Sequence, residues 1–151
     1  MEQQVVRVTE LNPLLEMEIH KLLEAVGLAT PELTKCELYV RLDTVGSVLG
    51  VACAKRLDND CLLTLVAVEP EMQRHGIGSM LVNHVLSHCA GDCDSVYLVT
   101  DEEEFFARFG FTLISMDRLP EEVLRCASSE GFLRPGVVAM QLAMPANWSR
   151  G

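Results

Sequence analysis

The stretch that decides the fold is Val66-Ala67-Val68-Glu69-Pro70-Glu71-Met72-Gln73-Arg74-His75-Gly76-Ile77-Gly78-Ser79. A β-branched apolar run meets a proline, a polar glycine-containing loop follows, and apolar residues then recur at helical spacing. Leu81, Val82, Val85, Leu86 and Cys89 fall on one helical face, with Ser79, Asn83, His84, Ser87 and His88 on the other. The segment reads strand, loop, helix. Amides at the start of a helix have no carbonyl partner inside it and carry partial positive charge, so they suit a phosphate, and Gly76 and Gly78 let a ligand approach the backbone. Two other phosphate loops do not fit. There is no Gly-x-x-x-x-Gly-Lys-Ser/Thr, and no Gly-x-Gly-x-x-Gly near the start with an acid some 20 residues on.

Upstream, Val5 to Thr9 alternates as a strand. Asn12-Pro13 opens a helix, with Asn as cap and Pro in the first turn, and Leu15, Ile19, Leu22, Leu23 and Val26 continue it to a stop at Gly27. Thr30-Pro31-Glu32 opens a short second helical piece. Glu37 to Leu42, Ser47 to Arg56 and Cys61 to Val68 then form an antiparallel meander with turns at Asp43 to Gly46 and Asp58 to Asp60. Downstream come a buried strand from Val96 to Thr100 and a helix opened by a Thr100/Glu103 capping box and stopped at Gly110. A strand from Phe111 to Ser115, a helix from Leu119 to Arg125 and a closing strand from Val137 to Leu142 follow. The acidic run Asp101 to Glu104 reads as a solvated first turn that suits the helix dipole.

The chain has 151 residues, 49% apolar and 23% charged, which predicts one globular domain over residues 1–151. Twelve basic against twenty-two acidic side chains leave a net charge of -10, with no basic stripe, so neither nucleic acid nor an anionic membrane is an expected partner. Met1 to Gln4 lacks the basic start and hydrophobic block of a signal peptide, and no apolar run reaches the roughly 20 residues of a membrane span. A cytoplasmic protein is expected. Cys36, Cys53, Cys61, Cys89, Cys93 and Cys126 sit mostly inside apolar stretches and read as small buried hydrophobes. His84-x-x-x-His88 with Cys89 and Cys93 is the spacing nearest to a metal site. It lacks the ligand pairs that zinc requires, so no metal is expected.

The sequence resembles the GCN5-related N-acetyltransferases. Gln73-Arg74-His75-Gly76-Ile77-Gly78 matches the family's Gln/Arg-x-x-Gly-x-Gly/Ala, after a strand ending Val66-Ala67-Val68-Glu69-Pro70, and Phe105-Phe106-Ala107-Arg108-Phe109-Gly110-Phe111 matches its second aromatic block. The resemblance covers roughly residues 5–145. It implies an α/β (α+β) fold with a mixed sheet of six to seven strands, splayed between strands four and five and flanked by helices, and acetyl-CoA as co-substrate. On this resemblance the backbone of Val66, Ala67 and Val68 pairs with the pantetheine arm, and the Val68 N–H polarises the thioester carbonyl. The main-chain N–H groups of Gln73, Arg74, His75, Gly76, Ile77, Gly78 and Ser79 hold the pyrophosphate. Glu69 is the candidate base. Phe106, assigned with the cofactor-binding residues, stands where the family has its proton-donating Tyr, which leaves Tyr97, water or an unaided thiolate for that step.

Tyr97-Leu98-Val99-Thr100 and the segment Arg118 to Arg125 resemble small amino-acid acetyltransferases, namely the acetyltransferase part of N-acetylglutamate synthase and the short arsenic-resistance enzymes. This implies an α-amino acid or analogue as acceptor, with Arg118, Arg125 or Arg134 available for its carboxylate. Two alternatives stand beside it. One is a basic amine (polyamine, aminoglycoside or protein lysine) drawn by the negative field. The other is a non-catalytic acyl-CoA binding module. A homodimer is expected, and the last strand with Trp148 beyond it reads as an edge or a partner surface.

Overall fold

The computed structural model describes residues 5–144; Trp148 and Met1 to Gln4 lie outside them. Among the described residues seven strands form one mixed sheet, within the six to seven expected. They are β1 (Val5–Val8), β2 (Glu37–Leu42), β3 (Val48–Leu57), β4 (Asp60–Val68), β5 (Ser95–Thr100), β6 (Thr112–Ile114) and β7 (Val138–Ala143), in the order β1-β2-β3-β4-β5-β7-β6. Among the described residues four α-helices accompany them: α1 (Pro13–Ala25), α2 (Ile77–Cys89), α3 (Glu103–Ala107) and α4 (Glu121–Ser129). Among the described residues no helix is long and apolar enough to cross a membrane.

The chain gathers into two units, one from residues 5–55 and 65–88, the other from residues 56–64 and 89–144. In the first, β1 and β2 are antiparallel with Val6 opposite Val40, and β2 and β3 are antiparallel with Tyr39 opposite Ala52. The Asn12 side chain accepts from Leu15 N at 2.8 Å, so the expected cap starts α1. Ile19, Leu22 and Leu23 of α1 are buried with Leu38, Val40, Val51 and Cys53 of the strands. The α2 face expected to be apolar is fully buried. Its other face is half-buried, because Tyr39 of β2 lies edge-on to both His84 and His88.

In the second unit, β4 begins after the two-residue turn Asp58-Asn59, a connection only antiparallel neighbours can use. Its opening residues pair in parallel with β5 as Asp60 with Ser95, Cys61 with Val96 and Leu62 with Tyr97. β7 lies between β5 and β6 and is antiparallel to both. Leu62, Tyr97, Leu119, Val123 and Ala139 form the core here.

One local expectation is corrected, and two are sharpened in their bounds. Thr100 does not close a capping box; its Oγ1 accepts from Glu102 N at 2.8 Å, which makes a turn two residues long. α3 consequently starts at Glu103 and is one short turn ending at Ala107. The helical piece expected at Thr30 is a 3-10 turn at Leu33–Lys35. The helix expected from Leu119 to Arg125 is α4, which starts two residues later, at Glu121, after a 3-10 turn at Met116–Arg118.

Candidate active site

β4 ends at Val68, and the residues after it are held locally. The Glu69 carboxylate accepts from Glu71 N at 3.1 Å and caps the 3-10 turn Pro70–Met72. The side-chain amide of Gln73 donates to Val68 O at 3.2 Å, tying the first loop residue back to the strand. His75 Nδ1 stands 3.1 Å from both Met72 O and Gln73 O. Two acceptors at one nitrogen require that nitrogen to carry the proton, so the imidazole clasps the loop as a donor.

Arg74 and Gly76 have positive φ, 72° and 81°. A Cβ on Gly76 would meet nothing within 4 Å, so glycine is favoured there by the backbone angle and not by crowding. Left-handed residues thus flank His75, and changes of backbone hand along a loop are one way successive amides come to line an anion-binding concavity. No backbone carbonyl among the described residues takes the N–H of Arg74, His75 or Gly76. Met80 N donates to Gly76 O at 3.1 Å, which leaves Ile77, Gly78 and Ser79 in the first turn of α2, where the helix supplies no acceptor. Gln73 through Gly76 are exposed, Gly78 and Ser79 are half-buried, and Ile77 is buried. In β4 itself Ala67 is buried and Val66 and Val68 are half-buried.

In the second unit Tyr97 is buried in β5, and its hydroxyl accepts from Gln141 Nε2 at 3.3 Å. The same amide donates to Ser95 Oγ at 3.0 Å. Phe106 is buried with edge contacts to Phe105 and Phe111, so its ring is part of an aromatic cluster. The three late arginines differ. Arg134 pairs with Asp101 at 2.7 Å and Arg125 with Glu121 at 3.1 Å, while exposed Arg118 has no ion pair among the described residues.

The sequence reading leaves Gln141 aside and takes Asp101 only as part of the acidic run Asp101 to Glu104. A glutamine inside the apolar run Val138–Ala143 was the available signal for the first. The run Asp101 to Glu104 is exposed, with Asp101 held by Arg134. Cys53, Cys61, Cys89 and Cys93 are buried as expected, and Cys36 and Cys126 half-buried. A hydrogen bond with Cys89 and burial both push the Cys61 thiol up, and burial pushes Cys93 up to about 12, so both stay protonated. His88 Nδ1 is bonded to His84 O at 3.0 Å. Among the described residues no three His, Cys, Asp or Glu side chains are arranged to hold a metal ion. A groove of about 470 Å³ lies between α1 and the 3-10 turn, with Glu16, His20 and Glu32 beside Met17, Pro31 and Leu33.

Residues 34–113 match the acetyltransferase (GNAT) domain family. An amino-acid acetyltransferase of Mycobacterium tuberculosis is 37% identical over 83 residues, which are 54% of this chain and 48% of that protein. The chain thus spans about half the length of the curated relative it matches. N-acetylglutamate synthase from Neisseria gonorrhoeae, solved with coenzyme A and N-acetylglutamate, superposes with a TM-score of 0.75 at 21% identity, over 96% of this chain and 36% of that one. A Mycobacterium tuberculosis protein solved with CoA gives a TM-score of 0.75 at 24% identity, over 93% and 99% of the two chains. The fold is shared with the two solved structures, the family match takes in both the glycine loop and the aromatic block, and it extends over more than half of the sequence: the chain belongs to the GNAT acetyltransferases.

Proposed function

We propose that the protein transfers the acetyl group of acetyl-CoA to the α-amino group of a small amino acid or a close analogue. The observation that carries this is the loop from Gln73 to Ser79, where outward amides at the head of α2 offer a pyrophosphate site on a chain of net charge -10. The amino-acid acetyltransferase relative supports the acceptor class. Residues 1–151 act as one acetyltransferase domain, in the cytoplasm, with no metal, no nucleic acid and no membrane in the reaction.

In the reaction a neutral amine attacks the thioester carbonyl carbon, the C–N bond forms, and the C–S bond breaks as the CoA thiolate leaves. Val66, Ala67 and Val68 present strand backbone to the pantetheine arm, and the Val68 N–H stabilises the oxyanion. Glu69 takes the proton released by the amine, through a water. Tyr97 gives a proton to the thiolate. Its oxygen accepts from Gln141, which leaves its own proton available to donate. Arg118, which has no ion pair among the described residues, is the first choice among the arginines for the acceptor's carboxylate, ahead of Arg125 and Arg134. The protein works as a homodimer, which light scattering tests.

A second reading is acetylation of a basic amine. The groove edged by Glu16 and Glu32, and the neutralisation of Arg125 and Arg134 by the chain's own carboxylates, favour it. Thiol release from acetyl-CoA, measured with amino acids beside polyamines and aminoglycosides, separates the two. Turnover is expected with amino acids. Selective turnover of basic amines would replace the acceptor class, and CoA binding without turnover of any amine would leave a binding module.

A further inference from the structure

We propose that Gly50 is a positioning residue for the cofactor loop: its missing side chain lets the first turn of α2 seat against β3 and so fixes where the amides of Ile77, Gly78 and Ser79 stand. The inference rests on the reading of that loop as the pyrophosphate site. Gly50 is buried in β3, opposite Arg41 of β2. A Cβ at this position would lie 2.9 Å from Ile77 Cγ2, 3.0 Å from Leu81 Cδ1 and 3.3 Å from Ala67 O. Carbon atoms pack best at roughly 3.5–4.0 Å, so two of these contacts are well inside the repulsive wall.

The three neighbours differ in how they can yield. Leu81 Cδ1 is the end of a flexible side chain and can turn aside. Ala67 O is sheet backbone. Ile77 Cγ2 springs directly from the Cβ of a β-branched residue, and such residues hold essentially one χ1 rotamer in a helix. A methyl group at position 50 is therefore accommodated by moving the first turn of α2 off the strand. Glu69 N donates to Leu49 O at 2.8 Å, so the end of β4 is anchored to the residue next to Gly50. Leu49 and Gly50 together reference the strand end and the helix start to one place in β3. The two shortest contacts fall on α2, and the third and longest, 3.3 Å to Ala67 O, falls on the strand.

The test is calorimetric binding of CoA, and of pantetheine, which lacks the pyrophosphate and nucleotide, to the wild-type protein, to Gly50→Ala and to Gly50→Ala/Ile77→Ala. For Gly50→Ala the expected result is a loss of CoA affinity of about tenfold with pantetheine affinity unchanged within about twofold, since a displaced amide set is felt by the phosphates alone. The double variant, without the obstructing methyl, is expected to recover CoA affinity to within about threefold of wild type. It carries the test if Gly50→Ala does not fold. Unchanged CoA affinity in Gly50→Ala, parallel losses for CoA and pantetheine, or no recovery in the double variant would each overturn the positioning role while leaving the pyrophosphate site standing. No CoA binding by the wild-type protein would instead overturn the pyrophosphate reading itself, and the positioning role with it.

Discussion

Gln141 Nε2 donates to Tyr97 Oη across the β5–β7 pair at 3.3 Å, and an amide nitrogen can act there only as donor. The phenol oxygen is therefore the acceptor, and its own proton is directed elsewhere. If that proton serves the departing thiolate, its loss has a ceiling, because a thiol of ordinary pKa about 8.5 is already a fair leaving group. Tyr97→Phe is expected to lower kcat by less than about tenfold, which is below about 1.4 kcal/mol of barrier. A thousandfold loss in steady-state kinetics would make Tyr97 indispensable and refute the estimate.

Phe106→Tyr restores the residue type of the family's second block. The ring is buried against Phe105 and Phe111, so the added hydroxyl enters an aromatic cluster. Burying an unpartnered hydroxyl costs about 1–3 kcal/mol on protein scales, and a lower melting temperature is expected. Acetyl transfer should persist. Abolished turnover in a protein that still melts cooperatively would contradict this.

The arginines predict a graded response. Arg118→Ala is expected to raise KM for an amino-acid acceptor about tenfold or more with little change in KM for acetyl-CoA, as the loss of a bidentate carboxylate partner does. Arg125→Ala and Arg134→Ala should change KM for the acceptor by less than about threefold, since each already faces a carboxylate of the chain at the surface. Equal effects for all three would show that the ion pairs do not sort them.

Asp60 predicts a pH dependence of stability. Burial, and then the nearby Asp94 and Asp58, raise its carboxyl above the ordinary 3.8, while the Ser95 N–H partly opposes them. A carboxyl raised in the folded state keeps its proton there after the unfolded chain has released it. Stability from this group is thus greatest below pH 3.8 and falls as pH rises through the folded pKa. Asp60→Asn keeps an oxygen for the Ser95 N–H and removes the charge. Its melting temperature should exceed wild type at pH 7, with the gain shrinking as pH falls below 3.8. A gain of the same size at both pH values would remove Asp60 as its source.

What could be read in advance follows the range of each interaction. The Asn12 cap, the strand Glu37–Leu42 and the buried face of α2 are set by neighbours within four residues, and each stands where the periodicity puts it. The turn at Gly76 is legible for the same reason, since a glycine there reports a left-handed backbone angle, whereas Arg74 takes the same angle with no such sign in its residue type. Interactions that join distant parts of the chain leave no such trace. Gln141 and Tyr97 are 44 residues apart, and Arg134 and Asp101 are 33 apart. The pairing of Arg134 with Asp101 is therefore visible only in the fold. The missing capping box at Thr100 is a local failure of another kind, in which two turn geometries compete for one hydroxyl and the tighter one prevails.

The path of β4 has a consequence for how the molecule assembles. Residues 60–64 of this strand belong with the second unit and residues 65–68 with the first, and the first unit resumes only after that interruption. Neither unit is a continuous piece of chain, so a single cut that keeps all of one also keeps part of the other. Protein synthesis cannot finish the first unit before part of the second has emerged, and most of the second follows after that. Folding is therefore expected to be one concerted event for both, with truncation at residue 88 giving an aggregation-prone polypeptide and not a working half.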